Sequence, residues 1–336
     1  MAGTNKAGAP ETGQDLTLMS VMDRFRTEEA AIRYFEAVRW PSGPCCPHCG
    51  NSDADRIYTL TANLASKVRL GLYKCGACRE SFTVKVGTVM EDSHVPLRKW
   101  IIGFYIMCAS KTQVSALQLQ RQLEIGSYNT ALFLCHRIRF ALMDLFPGTR
   151  LQGTIEADET YVGGKVRGKG RAYKGNKIPV VSLVERGGKV RSRVMDMVTG
   201  KAITELLRDN AASTAVINTD ESPLYDRVGK TFAAHDTVNH HNEEYARFDR
   251  ATGRLATTNA VEGFFGNSKR SLDGTHHHIS RKHAGLYFAE LDHKYNTRTV
   301  TDGERTVIGI KGMEGKRLML RTPKNGQSTV LSEGIS

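Results

Sequence analysis

The sequence predicts an α/β protein. A helical N-terminal half carries a small cysteine-bearing β-segment, and in the second half short strands give way to helices. Three observations predict this. Five of the seven cysteines crowd between Cys45 and Cys78, among β-rich flanks such as "RIYTL" and "ESFTVKV". Apolar residues follow helical spacing over residues 16–40 and about 96–145. From Gly153 the pattern changes to short β-rich runs, and helical spacing returns at Ala260 and from about Arg281 to Tyr295.

A chain of 336 residues has room for two or three domains and a proper core. Its 40% hydrophobic content is ordinary for a globular protein. The longest apolar run, Trp100 to Ala109, is half of the roughly 20 residues a bilayer crossing needs, so no membrane partner is expected. The first residues lack a basic-then-apolar signal pattern, which places the chain in the cytoplasm. A formal charge of +12 makes polyanions the natural partners, because Lys and Arg displace counterions condensed on phosphates. The odd cysteine count in such a chain argues against a disulfide framework.

In order, the elements divide the chain into a disordered tail (1–15), an N-terminal helical segment (16–41), a cysteine segment (42–92), a helical region (93–150), an α/β region (151–300) and a C-terminal basic extension and tail (301–336). In the first helical segment Thr27 is the cap, Glu28 and Glu29 suit the first turn, and Ile32, Phe35 and Val38 follow at spacing three until Pro41 stops the run.

Cys46-x-x-Cys49 and Cys75-x-x-Cys78 form two pairs separated by 25 residues. The x-x spacing lets both sulfurs of one turn reach one tetrahedral ion, which predicts a four-thiolate structural Zn²⁺ site in a zinc ribbon. Gly50 and Gly76 suit the tight knuckle turns, and Cys45 and His48 stay open as competing ligands.

"SKTQVSALQLQRQLEIGSYNTALFLCHRIRFALM" reads as two helices joined at "EIGS", with Gly126 in the turn and Ser127 capping the second. This is helix-turn-helix layout, which would present His136, Arg137 and Arg139 to DNA, although an ordinary packed hairpin fits the same residues.

Asp158 ends one strand-like run and Asp220 another, and Glu262 begins a helical segment. Carboxylates at neighbouring strand ends, joined by one from a helix, can bind two Mg²⁺ (or Mn²⁺) ions about 4 Å apart and serve phosphodiester chemistry. Other acids, among them Glu156, Glu159, Glu221 and Asp226, crowd the same segments. Between the first two acids, "YVGGKVRGKGRAYKGNK" holds six basic residues and no acid, so Lys165, Arg167, Lys169 and Arg171 can track a phosphate backbone.

"TTNAVEGFFGNSKRSLDGTHHH" reads as a helix capped by Asn259, with Val261, Phe264, Phe265, Ser268 and Leu272 along one stripe. Gly263 and Gly266 each weaken it by roughly 1 kcal/mol relative to Ala. Glu262 and Lys269 share another face, within about 20° and roughly 10 Å along the axis. Asn259 and Glu262 also fit a capping box. The run His276, His277, His278 reads as exposed or phosphate-facing.

Together "CPHCG…YKCGACRESFTVKVGTVM", "ADETYVGG", "NTDES", "TNAVEGFFGNSKRSLDGTHHHIS" and "YNTR" resemble the bacterial insertion-sequence DDE transposases with an N-terminal zinc ribbon, the IS1595 family of ISXO type, from about Arg33 to Leu320. The resemblance implies an RNase H-like catalytic domain, a mixed β-sheet with flanking helices. It implies Asp158, Asp220 and Glu262 as the metal-binding triad, with two Mg²⁺ per site. Lys269, and Arg270 beside it, would contact DNA. The implied activity is cleavage of element ends and joining of the 3′-hydroxyls to target DNA, by a homodimer or higher oligomer on double-stranded DNA at the nucleoid. A DNA-binding regulator with an inactive domain, and a structure-selective nuclease, are the alternatives.

Overall fold

The computed structural model describes residues 16–319, apart from 64, 66–67, 144, 146–147, 164–174, 227 and 229–230. The tails expected at 1–15 and beyond residue 324 lie outside the described residues. The chain divides into two compact units: one built from residues up to 145 together with a return segment from 299, the other from residues 146–298. No helix among the described residues is long and apolar enough to cross a membrane.

The first unit opens with α1 (Leu18–Arg24) and α2 (Glu28–Arg39), so the expected helical segment is two helices that meet at Thr27. Thr27 caps α2 as predicted, its hydroxyl accepting from Ala30 N at 3.2 Å. The zinc-ribbon segment folds as an antiparallel sheet of β1 (Ile57–Leu60), β2 (Leu72–Cys75) and β3 (Ser81–Phe82). Trp40, at the end of α2, packs edge-on against both Tyr73 of β2 and Phe82 of β3.

Three helices follow: α3 (Leu97–Ala109), α4 (Ala116–Gln122) and α5 (Tyr128–Leu142). No side chain of its own turn caps α3. Instead the carboxylate of Glu28 accepts from Leu97 N at 2.7 Å and Arg98 N at 3.1 Å, a favourable place for a negative charge. Between α4 and α5 the left-handed residue is Glu124 (φ 51), held by Lys99 Nζ on its carbonyl at 2.9 Å, so the predicted Gly126 is not the residue the turn depends on. Ser127 precedes α5 without a side-chain cap bond.

The structure corrects the expected DNA-facing residues of this pair. His136, Arg137 and Arg139 are 8%, 7% and 0% exposed. Arg137 lies over the Phe133 ring and donates to the Glu91 carbonyl, and Arg139 donates to the Val114 carbonyl. These guanidiniums tie loops to α5 inside the unit. The packed-hairpin reading describes them.

The second unit is built on a five-stranded mixed sheet of β4 (Thr154–Val162), β5 (Ile178–Glu185), β6 (Val190–Val194), β7 (Val216–Asp220) and β8 (Ala234–Val238), in the order β6-β5-β4-β7-β8. β5 is antiparallel to β4 and β6, whereas β7 is parallel to β4 and β8. Helix α6 (Gly200–Asn210) links β6 to β7, the hairpin of β9 (Ala246–Asp249) and β10 (Arg254–Thr257) follows β8, and α7 (Asn259–Thr275) and α8 (Arg281–Asn296) end the unit. This is the mixed sheet with flanking helices of an RNase H-like domain.

Side chains alternate across the sheet. Ile155, Ala157, Val181, Leu183 and Ile217 pack on Ile203, Leu206 and Leu207 of α6. Val162, Val180, Val184 and Val190 face Phe264, Phe265 and Leu272 of α7 and Phe288 and Leu291 of α8. The free edge of β6 is covered from α8. Asn296 accepts from Val190 N at 2.7 Å and donates to Val190 O at 3.0 Å, while Asp292 accepts from Ser192 N at 2.7 Å. An unpaired edge invites pairing with another chain, and these two side chains occupy it. The "YNTR" stretch therefore has a structural use at Asn296.

The return segment carries α9 (Asp302–Lys311), which starts with a Thr301–Glu304 capping box. Beyond it Glu314 holds the Arg39 guanidinium at 2.6 and 2.9 Å, and Arg317 reaches Asp92 at 2.7 Å. The described part of the expected C-terminal extension is thus a constituent of the first unit.

Candidate active site and metal centre

The four cysteines meet as their spacing predicts. Cys46 Sγ lies 3.7 Å from Cys78 Sγ, and Cys49 Sγ 3.7 Å from Cys75 Sγ. All four sulfurs fall within 4.8 Å of one another. A tetrahedron with Zn–S bonds of about 2.3 Å has edges of about 3.8 Å, so the quartet fits zinc. The structure resolves the choice at the double cysteine: Cys46 is in the quartet, and Cys45 Sγ instead faces the Gly50 carbonyl at 3.5 Å. His48 is outside the quartet too.

Each knuckle closes on a left-handed residue: Gly50 (φ 75), whose N–H bonds Cys46 O, and Arg79 (φ 63), whose N–H bonds Cys75 O. Arg79, not Gly76, is the counterpart of Gly50. Gly76 serves a different need, since a Cβ there would lie 3.1 Å from the Tyr58 ring and 3.2 Å from Arg56 O.

The second site lies in the sheet unit. Parallel pairing sets Thr154, Ile155 and Glu156 of β4 opposite Val216, Ile217 and Asn218 of β7. The same register carried two residues further places Asp158 opposite Asp220, on the sheet face that α7 covers. Asp158 accepts from Glu159 N at 2.7 Å, and Asp220, at the end of β7, accepts from Ser222 N at 3.0 Å. Glu262 comes from the first turn of α7.

Burial pushes the Asp158 carboxyl up to about 7, and the negative charges of Glu159, Asp220 and Glu262 push the same way. Asp220 and Glu262 are therefore both near enough to act on Asp158. They do not form a closed cage: among the described residues only the cysteines bring three or more ligand atoms within 4.8 Å of one another. Glu159 points to the other face, where Tyr225 donates to it at 3.0 Å.

The start of α7 differs from the sequence reading. Asn259 is its first residue, and Thr258 before it makes no side-chain cap bond. The open N–H groups of Ala260 and Val261 are taken instead by Glu156 Oε2, at 2.6 and 3.2 Å. Glu156 is 1% exposed and its other oxygen binds Arg186 at 3.0 Å. This residue, which sequence reasoning left among the ordinary acids, fixes the catalytic-helix candidate to the central strand. Its only sequence signal is its place two residues before Asp158, on the same face.

Glu262 caps no backbone group. Its Oε1 accepts from Thr258 Oγ1 at 2.7 Å and lies 3.2 Å from His240 Nε2. Lys269 is exposed, two turns further along α7, with no hydrogen bond or ion pair among the described residues. Arg270 is exposed and donates to Asn267 at 2.6 Å. A Cβ on Gly263 would meet nothing within 4 Å, and on Gly266 only the Arg270 guanidinium at 3.9 Å, so packing within the chain does not require these glycines. His276 packs edge-on to Tyr287, and His277 and His278 are exposed beyond the helix end.

Lys165, Arg167, Lys169 and Arg171 lie outside the described residues. The base of their loop is described, with Lys177 Nζ donating to Gly163 O at 2.6 Å.

The chain thus carries a four-cysteine ribbon and a mixed-sheet domain; Asp220 ends β7 as its sequence predicts, whereas Asp158, expected at a strand end, lies in the middle of β4. Residues 150–296 match the ISXO2-like transposase domain, and residues 26–81 match the transposase zinc-ribbon domain. The chain belongs to this zinc-ribbon family of DNA transposases. It is 28% identical over 258 residues to an uncharacterized protein in transposable element ISH50 of Halobacterium salinarum, covering 69% of this chain and 80% of that protein. A looser likeness links it to the Mos1 transposase paired-end complex with left transposon end: 12% identity, 60% of this chain, 75% of that chain and a TM-score of 0.19.

Proposed function

We propose that this transposase cleaves the ends of its element and joins the freed 3′-hydroxyls to target DNA, with Asp158, Asp220 and Glu262 as the metal-binding triad. The observation that carries the reading is a buried Asp158 with Asp220 and Glu262 near enough to act on it: burial first, then the neighbouring negative charges, lift its carboxyl to about 7, while Glu262 caps no backbone group. An all-oxygen, acidic donor set suits Mg²⁺ or Mn²⁺. A divalent cation held there would polarise the scissile phosphate and ease deprotonation of the attacking oxygen.

The chain's own groups position the reaction. Water attacks phosphorus in line and the bond to the 3′-oxygen breaks, leaving a 3′-hydroxyl and a 5′-phosphate. That hydroxyl then attacks a target phosphate and displaces the target's 3′-oxygen, so each step exchanges one P–O bond for another. Lys269, about 10 Å along α7 from Glu262, holds a neighbouring phosphate. The side-chain-free backbone at Gly263 and Gly266 lets DNA approach the helix. Joining two ends of one element calls for two active sites, hence at least two copies on paired ends.

Incubating the purified chain with Mg²⁺ and DNA bearing element ends tests the reading: nicked ends and joined products are expected. Binding without cleavage would instead indicate a regulator, and cleavage without joining a nuclease. Replacing Lys165, Arg167, Lys169 and Arg171 together with Ala should weaken DNA binding. It should also lower the log–log salt slope by up to about 3.6, at about 0.9 per phosphate contact. An unchanged slope would show that the loop touches no phosphate.

A further inference from the structure

His240 follows β8 in a short 3₁₀ turn, His240–Asn242, whose shape is fixed from both sides. The Asn239 side chain accepts from Asn242 N at 2.9 Å, Glu244 accepts from Asn239 N at 3.0 Å, and Glu243 closes the turn in the left-handed region (φ 56). The Tyr245 ring lies against the imidazole, with centroids 5.6 Å apart. This places His240 Nε2 3.2 Å from Glu262 Oε1 and 3.2 Å from Thr258 Oγ1. Thr258 itself is 1% exposed.

Proton counting assigns the contacts. The Thr258 hydroxyl has one proton, and at 2.7 Å it is directed to Glu262 Oε1. An ionised carboxylate has none to give. A bare Nε2 would then face two acceptors with no proton between them, whereas Nε2–H satisfies both oxygens. Glu262 Oε1 thus accepts from Thr258 Oγ1, and His240 Nε2–H, which bonds Thr258 Oγ1, also stands 3.2 Å from it. Oε2 makes no hydrogen bond among the described residues, and the Glu262 side chain is 43% exposed.

We propose that His240 is a positioning residue for the third acid: by donating from Nε2 to Oε1 of Glu262, together with Thr258, it fixes the carboxylate and presents Oε2 to a divalent cation. The inference rests on the reading of Glu262 as a metal ligand. Partners that orient a metal ligand from behind typically change metal affinity 10–100-fold when removed.

The test measures Mn²⁺ binding to the full-length chain by calorimetry, alongside DNA affinity and cleavage rate. His240→Ala should weaken Mn²⁺ binding by about 10–100-fold and slow cleavage, with DNA affinity unchanged. His240→Gln, whose amide can donate from a similar position, should restore both to within a few-fold. That rescue separates positioning from general damage to the turn. Wild-type Mn²⁺ affinity in His240→Ala would overturn the proposal, and so would a His240→Gln protein as impaired as His240→Ala, because the imidazole itself would then be required. Glu262→Gln is measured in parallel. Weakened binding there with none in His240→Ala sinks the positioning role alone, whereas no loss in either removes Glu262 from the metal site.

Discussion

Replacing Cys75 with Ser is expected to strip the chain of one zinc ion and to unfold the ribbon, at a cost on the order of 10 kcal/mol, as for structural zinc in small domains. The size follows from how little else holds this segment. Its sheet has strands of four, four and two residues, far below what is independently stable. The loss should spread to α2 through Trp40, which packs on Tyr73 and Phe82. Metal analysis of protein purified without added metal, with near-ultraviolet circular dichroism of the aromatic cluster, checks it. Cys45→Ser is the internal control: outside the quartet, it should keep the zinc and the fold. A stable, metal-free wild-type chain would contradict the ribbon account.

Asp158→Asn should abolish cleavage and at the same time stabilise the metal-free protein at pH 8. Its carboxyl is raised from 3.8 to about 7, chiefly by burial. Between those values the folded chain holds a proton that the unfolded chain has lost. The stability this contributes is present below about pH 4 and is lost as pH rises through about 7. At about 1.4 kcal/mol per pH unit, the ceiling is about 4 kcal/mol. Asn carries no charge to desolvate, so the variant should show a shallower fall in unfolding free energy between pH 4 and 8. Some slope should persist, because burial also lifts Asp292 to about 7. Mg²⁺ added at pH 8 should stabilise the wild type and leave the variant unmoved. A variant less stable than wild type at pH 8, or one that cleaves normally, would count against a desolvated metal-binding acid.

What the sequence revealed and what it concealed divide along physical lines. The Cys-x-x-Cys pairs were legible because their chemistry is set by spacing along the chain. So were Thr27 as a cap and the switch from helical to β-rich runs, which are also local. Asp158 and Asp220 stand out as acids of β-rich runs, but a local pattern does not show that Asp158 lies in the middle of β4 rather than at its end, and only the β4–β7 register sets it beside Asp220. Local sequence points to Asn259 as the cap of α7, whereas the acceptor of its first N–H groups, Glu156, lies 104 residues away. The same holds for Glu28 on α3, 69 residues upstream. The helix-turn-helix layout and the chain's positive charge point Arg137 and Arg139 at DNA, because their burial against Phe133, Glu91 and Val114 leaves no trace in a local pattern. His240 was passed over for the same reason: Thr258 and Glu262 reach it only once the β9–β10 hairpin has folded back.

The most direct test of the central claim compares wild type with Glu262→Gln on DNA carrying the element ends, scoring cleavage and strand transfer in Mg²⁺. Gln matches Glu in size and can still accept from Thr258, so the variant should fold and bind DNA within a few-fold of wild type. It lacks the charge a divalent cation needs. The account predicts that both cleavage and joining disappear. Cutting and joining at the wild-type rate by Glu262→Gln would contradict it.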